Sequence, residues 1–351
     1  MAATTFVAWY LGAGMEKAIL TFVAVLVVAC PCALALSRPL AAAAGLGAAA
    51  RRGLLFRSGD ALLEMDSVDL VALDKTGTVT AGDLVVVDAP PEALRIASGL
   101  ERFSAHPIGR AITKAAVEQG IPLPEAEDVR EEAGFGIRGR VDGREWEIRS
   151  GGPGRVLIRG ENDDGWTITL GDRVRDDSGL AVEEIRASGR EIVLVTGDVG
   201  ESARRMAGEA GIQAWLASLT PADKADWIRG KRDEGRTVLF AGDGLNDGPG
   251  LAQADVGVAM GTGAASSILV ADGVISVPSL RPLLAGFRAA AAAKRSIRQN
   301  QLRSIVYNVG AVAVAAAGFV NPLVAAILMP LSSGMVIWGA SRVERAVAGE
   351  P

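Results

Sequence analysis

Histidine and cysteine are nearly absent. His106 is the only histidine in 351 residues, so a metal site or proton relay that needs two is excluded. The two cysteines, Cys30 and Cys32, are one residue apart. They cannot form a disulfide framework, and a cytosolic or membrane setting fits them better than a secreted one. Positive charge is in no excess: 36 Lys and Arg stand against 41 Asp and Glu, a formal net charge of −5. No basic surface advertises nucleic acid as a partner. There is also no long low-complexity linker and no evident repeat.

Apolar and small residues are plentiful. Hydrophobic residues make up 49% and there are 43 glycines, with a mean hydropathy of +0.28. Small residues are what membrane helices use to pack closely. Residues 1–14 are apolar but too short to span a bilayer, and read as the tail of a membrane helix. Residues 18–37 form an uncharged run, long enough at about 1.5 Å per residue to reach about 30 Å. Arg51, Arg52 and Arg57 follow it. Two more apolar runs, 304–320 and 323–340, are joined by Asn321-Pro322, with Lys294, Arg295, Arg298 and Arg303 before them and Arg342 and Arg345 after. Basic flanks mark cytoplasmic ends. The expectation is a multi-pass protein of a plasma or inner membrane, with everything between residues 58 and 278 cytoplasmic.

That middle region reads differently. Buried-strand runs such as VDLVALD, EIVLVTGD and RTVLFAGDG alternate with helical stretches such as GESARRMAGEAG. This predicts a parallel sheet covered on both faces. Between 86 and 165, REWEIRS and GWTITLGD read as antiparallel strands of an inserted α+β lobe. The expected organisation is 1–57 membrane helices, 58–85 with 166–278 the parallel-sheet domain, 86–165 the insertion, and 279–351 a second helix pair.

The strand ends carry the chemistry. Asp74 ends one strand in DKTGT, Thr196 and Asp198 follow another in TGD, and Asp243 and Asp247 lie in GDGLND. In a parallel sheet such ends converge on one rim, where ligands bind. Clustered carboxylates repel one another, and a hard divalent cation such as Mg²⁺ relieves them. Lys224, in TPADK, adds a positive charge suited to phosphate. A carboxylate so placed can attack phosphorus and become an aspartyl-phosphate. Gly77, Gly242 and Gly244 let backbone approach closely.

DKTGT, TGD and GDGLNDGP in this order resemble the P-type ATPases, built on a haloacid-dehalogenase-like α/β phosphorylation domain with an inserted nucleotide-binding domain and transmembrane helices. The resemblance implies that Asp74 is phosphorylated from ATP. Asp74, Asp243 and the Thr76 carbonyl would hold Mg²⁺. Lys75, Thr196, Gly197, Asp198 and Lys224 would serve the phosphoryl group, supported by Asn246 and Asp247. ERFSAHPIGRAI resembles the heavy-metal branch, which implies adenine contacts from Glu101, His106 and Pro107. Gly134 and Gly136 of GFGIRG, and Gly151 of SGGPG, would complete the nucleotide site.

Cys30-Pro31-Cys32 interrupts an apolar run with a residue that has no N–H to donate. Two thiolates beside such a break suit Cu(I) or Zn²⁺. The motif resembles the heavy-metal transporting P-type ATPases. Tyr307-Asn308, Met329 and Ser332-Ser333 resemble the monovalent copper branch, which implies that Cys30, Cys32, Tyr307, Asn308, Met329 and Ser333 handle a transported Cu(I) or Ag(I), delivered by a metallochaperone. Pro330, where that branch has a small polar residue, and Trp338-Gly339, where it has an asparagine, depart from the pattern. Zinc or cadmium transport is the alternative ion assignment. The family's actuator domain, with its Thr-Gly-Glu loop, has no counterpart before residue 30. The expectation is therefore the C-terminal portion of a pump, which phosphorylates but lacks the other half needed for transport. A membrane-tethered phosphatase of the same superfamily would need an aspartate where Thr76 stands. A non-enzymatic metal-binding protein would not depend on Asp74 at all.

Overall fold

The computed structural model describes residues 1–29, 32–132, 135–152, 154–161, 164–243, 245–263 and 265–348; for residues 32, 33, 245, 328–333 and 348 it describes backbone only. The residues divide into two compact units, Met1–Thr78 with Asp176–Pro351, and Val79–Arg175.

Three helices lead in: α1 (Ala2–Ala13), α2 (Met15–Val28) and α3 (Cys32–Ala50). The short strand β1 (Leu54–Phe56), helix α4 (Gly59–Glu64) and strand β2 (Leu70–Asp74) follow. Ser58 caps α4, its side chain accepting from the Ala61 amide. All five residues of β2 are buried, as expected of a strand covered on both faces.

The unit Val79–Arg175 comprises β3 (Thr80–Asp88), α5 (Pro91–Glu101), α6 (Pro107–Glu118), β4 (Ala126–Glu132), β5 (Gly136–Val141), β6 (Arg144–Ser150), β7 (Arg155–Gly160) and β8 (Gly165–Val174). Its strands form an antiparallel sheet in the order β3-β8-β7-β6-β5-β4. Strand β5 alternates buried and exposed residues, the mark of a sheet with one face on a core. That core joins Ile137, Val141, Trp146, Ile148 and Ile158 to Leu94, Ile96 and Ile112 of the helices. The unit is wider than the insertion read at 86–165, because β3 begins at Thr80 and pairs with β8, which runs on to Val174.

The chain then continues through α7 (Ser178–Ala187), β9 (Glu191–Val195), α8 (Gly200–Glu209), β10 (Ala214–Leu216), α9 (Pro221–Asp233), β11 (Val238–Gly242), α10 (Gly248–Gln253), β12 (Val256–Met260), α11 (Ala265–Val270), β13 (Gly273–Ile275), α12 (Arg281–Ala316) and α13 (Pro322–Ala348). The sheet of this unit runs β1-β13-β12-β11-β2-β9-β10; all pairs are parallel except β1 with β13. Asp74 lies opposite Val195, and Leu73 opposite Ala241, so the loops after β2, β9 and β11 leave from the same rim.

The helices pack on this unit and on one another. Gly45 of α3 sits where a Cβ would be 2.6 Å from Leu62 of α4 and 3.4 Å from Ala293 of α12. Helix α12 has 36 residues, about 54 Å at 1.5 Å per residue. Between α12 and α13 lies a buried polar contact: Ser296 Oγ donates to the Gly339 carbonyl at 3.2 Å, and Gly339 leaves room for the Asn300 side chain.

Residues 18–37, read as one span, are two helices, with α2 ending at Val28 and α3 starting at Cys32. Helix α2 has 14 residues and carries Glu16 and Lys17 in its first turn. The run 304–320 is the end of the longer, charge-bearing α12, which stops at Ala316. No helix among the described residues is long and apolar enough to cross a membrane.

Candidate active site

Asp74 is the last residue of β2, an interior strand between β11 and β9, and is 5% exposed. The chain turns sharply after it. Thr76 is non-helical and Gly77 has φ +69°, and this turn lets the Thr76 amide donate to Asp74 Oδ2 at 2.9 Å. Gly77 also has no room for a side chain: a Cβ there would lie 1.6 Å from Asp243 Oδ2. Conformation and space both demand glycine at this position.

Lys224 comes from the first turn of α9. Thr220 and Asp223 form a capping box there, with Pro221 at the first helical position. The helix start is thereby fixed, and Lys224 is held inward and buried. Its Nζ donates to Asp74 Oδ1 at 2.5 Å and to Asp247 Oδ1 at 2.8 Å. Asp243 follows β11, and Asp247 lies on the next turn, close against Gly242. Carboxylate oxygens of Asp74, Asp243 and Asp247 all fall within 4.8 Å of one another.

Burial, and after it the charge of Asp247, push the Asp74 carboxyl up to about 7, against the opposing pull of Lys224. Burial alone would lower the Lys224 ammonium; Asp74 and Asp247 outweigh it and raise the group. Three carboxylates against one ammonium leave a negative excess. All the donors are oxygen, the hard set that Mg²⁺ takes. Adjacent ligands of Mg²⁺ are about 3 Å apart and opposite ones about 4.2 Å, so the three oxygens would draw together around an ion. The residues fit the ion.

Next to this cluster, Lys75 Nζ donates to Asp198 Oδ2 at 2.5 Å, and Ser202 Oγ donates to the same oxygen at 3.0 Å. Burial would raise the Asp198 carboxyl, but the bonds from Lys75 and Ser202 and the Lys75 charge hold it below its usual range. The Asp198 amide donates to Thr196 Oγ1 at 3.1 Å, and Thr196 itself is buried at the end of β9. Gly197 lies between them, against the Leu219 carbonyl. Asn246 is exposed on the Asp247 turn, and Gly244 lies outside the described residues.

In the other unit, Glu101 ends α5 and is also 5% exposed. Its Oε2 is buried with no hydrogen-bond partner. Burial raises the carboxyl, Ser104 opposes that, and Glu131 adds to it. Gly109 leaves the space this oxygen occupies, since a Cβ there would be 2.3 Å from it. Glu101 and Ser104 also line an open cavity of about 480 Å³ beside α6. His106 is the N-cap of α6, its Nδ1 accepting from the Ile108 amide at 3.2 Å, with Pro107 at the first helical position. Gly136 lies against the Ile148 carbonyl, and the Gly151 amide donates to the Arg155 carbonyl. Gly134 lies outside the described residues.

Tyr307 and Asn308 are half-exposed on α12. Cys30 lies outside the described residues, as do the side chains of Cys32, Met329 and Ser333, whose backbones belong to α3 and α13. The sequence reading missed Ser202, Glu131 and Gly263. Gly263 packs against the Asp243 carbonyl, and its signal was the glycine pair Gly261 and Gly263 after the buried run VGVAM.

The sequence profile of the haloacid dehalogenase-like hydrolases matches residues 68–255. The chain belongs to that family. Like the profile, the broader similarities include the Asp74 rim, and they extend through the helices of this haloacid dehalogenase-like hydrolase. Copper-transporting ATPase 1 of Rhizobium meliloti (strain 1021) is 34% identical over 98% of this chain and 46% of its own length. The probable copper-exporting P-type ATPase V of Mycobacterium tuberculosis is 34% identical over 98% of the chain and 49% of its own. The crystal structure of a zinc-transporting PIB-type ATPase in the E2.Pi state superposes with a TM-score of 0.87 at 30% identity, over 98% of this chain and 61% of that one. The chain spans about half the length of the curated relatives it matches.

Proposed function

We propose that this chain is the catalytic part of an ATP-driven heavy-metal pump that works through an aspartyl-phosphate at Asp74. One observation carries the reading: Asp74 is buried at a strand end, bonded to Lys224, with Asp243 and Asp247 within 4.8 Å.

An oxygen of the ionised Asp74 attacks the γ-phosphorus of ATP. A P–O bond to Asp74 forms as the bond from the γ-phosphorus to the bridging oxygen breaks, and ADP leaves with that electron pair. Asp74, Asp243 and the Thr76 carbonyl would hold Mg²⁺, which supplies positive charge against the transferring group. Lys224 positions Asp74 and offers a proton-bearing cation to the phosphoryl oxygens. Lys75 and the Thr196 hydroxyl face the same group. In the inserted unit, the unpartnered Glu101 oxygen suits the amino group of adenine, and the free face of His106 suits the base. Thr76 offers no carboxyl for acid–base hydrolysis, which favours a lasting phosphoenzyme over a phosphatase cycle.

For the cargo, the thiolates of Cys30 and Cys32 with the Met329 thioether suit a soft ion, and the copper names of the relatives support Cu(I) or Ag(I). Large apolar residues exposed on the helices, among them Leu11, Val309 and Leu323, and Phe319 in the connection between α12 and α13, support contact with lipid. The proposal for the chain itself is the phosphorylation chemistry. Transport is proposed for a protein that carries this chain together with the rest of the relatives' length.

The test is labelling with γ-³²P ATP and Mg²⁺. The expected product is an acid-stable, hydroxylamine-sensitive phosphoprotein, absent in Asp74→Asn. Equal labelling of the variant removes Asp74 from this role. Comparing Cu(I), Ag(I) and Zn²⁺ as stimulants of labelling assigns the ion.

A further inference from the structure

We propose that Trp9 and Lys17 are positioning residues for the transported ion: together they clamp the end of α12, and so set the depth at which the end of α2, leading to Cys30, meets Tyr307 and Asn308. This rests on the cargo reading of Cys30, Tyr307 and Asn308.

Helix α12 ends in a tight glycine turn. Gly318 has φ +78°, its amide donates to the Ala315 carbonyl at 2.9 Å, and the Phe319 amide donates to the Val314 carbonyl at 3.3 Å. The Ala316 and Gly318 carbonyls take their donors from two other helices. Trp9 of α1 donates its indole N–H to the Ala316 carbonyl at 2.9 Å, and Lys17 of α2 donates from Nζ to the Gly318 carbonyl at 3.1 Å. The ammonium also stands 5.3 Å from the centroid of the Trp9 ring, within cation–π reach. A Cβ at Gly318 would lie 2.8 Å from the Trp9 ring and 3.2 Å from Lys17 Cε, so both side chains sit hard against this turn.

The clamp matches charge as well as shape. A helix C-terminus carries partial negative charge, which an ammonium complements. In apolar surroundings, parting the carbonyl from the ammonium leaves two costly groups. Helix α2 therefore cannot slide along α12 without giving up this bond.

The clamp closes one end of a packed seam. Ala24 and Val25 of α2 pack with Val312 and Ala315 of α12, so α2 runs away from the clamp while α12 runs towards it. Val28, where α2 ends, is about 16 Å along its helix from Lys17, and Asn308 is about 12 Å along its helix from Ala316, at about 1.5 Å per residue. The two segments assigned to the ion thus lie at the same depth to within about one helical turn. Trp9 and Lys17 stand too far away to touch the ion and act through this register.

Two measurements on the full chain in detergent test the clamp. With Cys30→Ser and Cys32→Ser in place, nitroxides on Leu26→Cys and Val309→Cys, both exposed positions, report the separation of α2 and α12 by electron–electron double resonance. The parent should give one narrow distance, Lys17→Met should shift or broaden it, and Lys17→Arg, which keeps the charge, should restore it. With the native cysteines present, titration with Ag(I) should show an affinity about ten-fold weaker in Lys17→Met and in Gly318→Ala, which crowds Trp9. Labelling of Asp74 by acetyl phosphate should stay near the parent level in both, a sign that the rim is folded. Gly310→Ala, with nothing within 4 Å of its Cβ position, should change neither distance nor affinity. An unaltered distance in both Lys17→Met and Gly318→Ala would overturn the clamp. A shifted distance with unchanged Ag(I) affinity would overturn its role in positioning the ion. Ag(I) binding that survives Cys30→Ser with Cys32→Ser would remove the cargo reading, and with it the link to the ion, while the resonance distances would still decide the clamp.

Discussion

Lys224 Nζ bridges Asp74 Oδ1 and Asp247 Oδ1, at 2.5 and 2.8 Å, and all three side chains are buried. The bridge joins a strand end, a helix start and a turn that are far apart in the chain. It is the contact on which the shape of the rim depends.

Removing the ammonium leaves buried carboxylates facing one another. Breaking a buried pair by deleting one partner costs about 3–5 kcal/mol. Lys224→Met should therefore lower the melting temperature markedly and cut Asp74 labelling by more than ten-fold. Millimolar Mg²⁺ should recover part of the stability and little of the labelling. A Lys224→Met chain as stable as the parent without metal would show that the bridge does not hold the rim.

The raised Asp74 carboxyl gives stability a definite pH slope. The folded chain holds this proton up to about 7, against 3.8 for the ordinary group. The contribution is thus fully present below about pH 4 and is lost as pH rises towards 7. It amounts to about 4 kcal/mol at most, at 1.36 kcal/mol per pH unit. In metal-free buffer, Asp74→Asn should be more stable than the parent at pH 8 and gain little at pH 4. Mg²⁺ should stabilise the parent more at pH 8 than at pH 5. Calorimetric melting across pH 4–8 measures both, and parallel curves for parent and variant would contradict the assignment.

Gly77 is constrained twice, by φ +69° and by the Asp243 oxygen 1.6 Å from where a Cβ would stand. Gly77→Ala should push Asp243 off the rim and abolish labelling. Gly143 also has a positive φ, +74°, but nothing lies within 4 Å of its Cβ position. Gly143→Ala should cost only about 1 kcal/mol and leave labelling intact. Equal effects on labelling would show that crowding at Asp243 is not the reason for Gly77.

Gly109→Ala should drive a methyl group into the Glu101 carboxylate, 2.3 Å from its Oε2. ATP affinity should fall at least five-fold. Labelling of Asp74 by acetyl phosphate, which needs no adenine, should stay near the parent level. Loss of both would point to general unfolding, which circular dichroism would reveal.

Much of the rim was legible in the sequence. Uniformly apolar runs ending in Asp74, Thr196 and Asp243 identify buried parallel strands, and such ends meet by geometry alone. The partner of Lys224 was not legible, because nothing local says which carboxylates a lysine 150 positions from Asp74 will reach. The Lys75–Asp198 pair and the place of Gly263 were hidden for the same reason. The lobe boundary was misplaced because β3 opens with Thr80, Ala81, Gly82 and Asp83, which carry no strand pattern. The end of α2 at Val28 was invisible to hydropathy, since the residues on either side are equally apolar.

Three residues after α3 ends, the chain enters β1, and β1 is stitched antiparallel to β13 through Leu54–Ile275, Leu55–Val274 and Phe56–Gly273. The helix that begins at Cys32 is thus spliced to the margin of the sheet, with almost no slack between. Any axial stroke of that helix must drag the sheet margin along or unzip it. A displacement along that helix would meet the β1–β13 pairing within three residues.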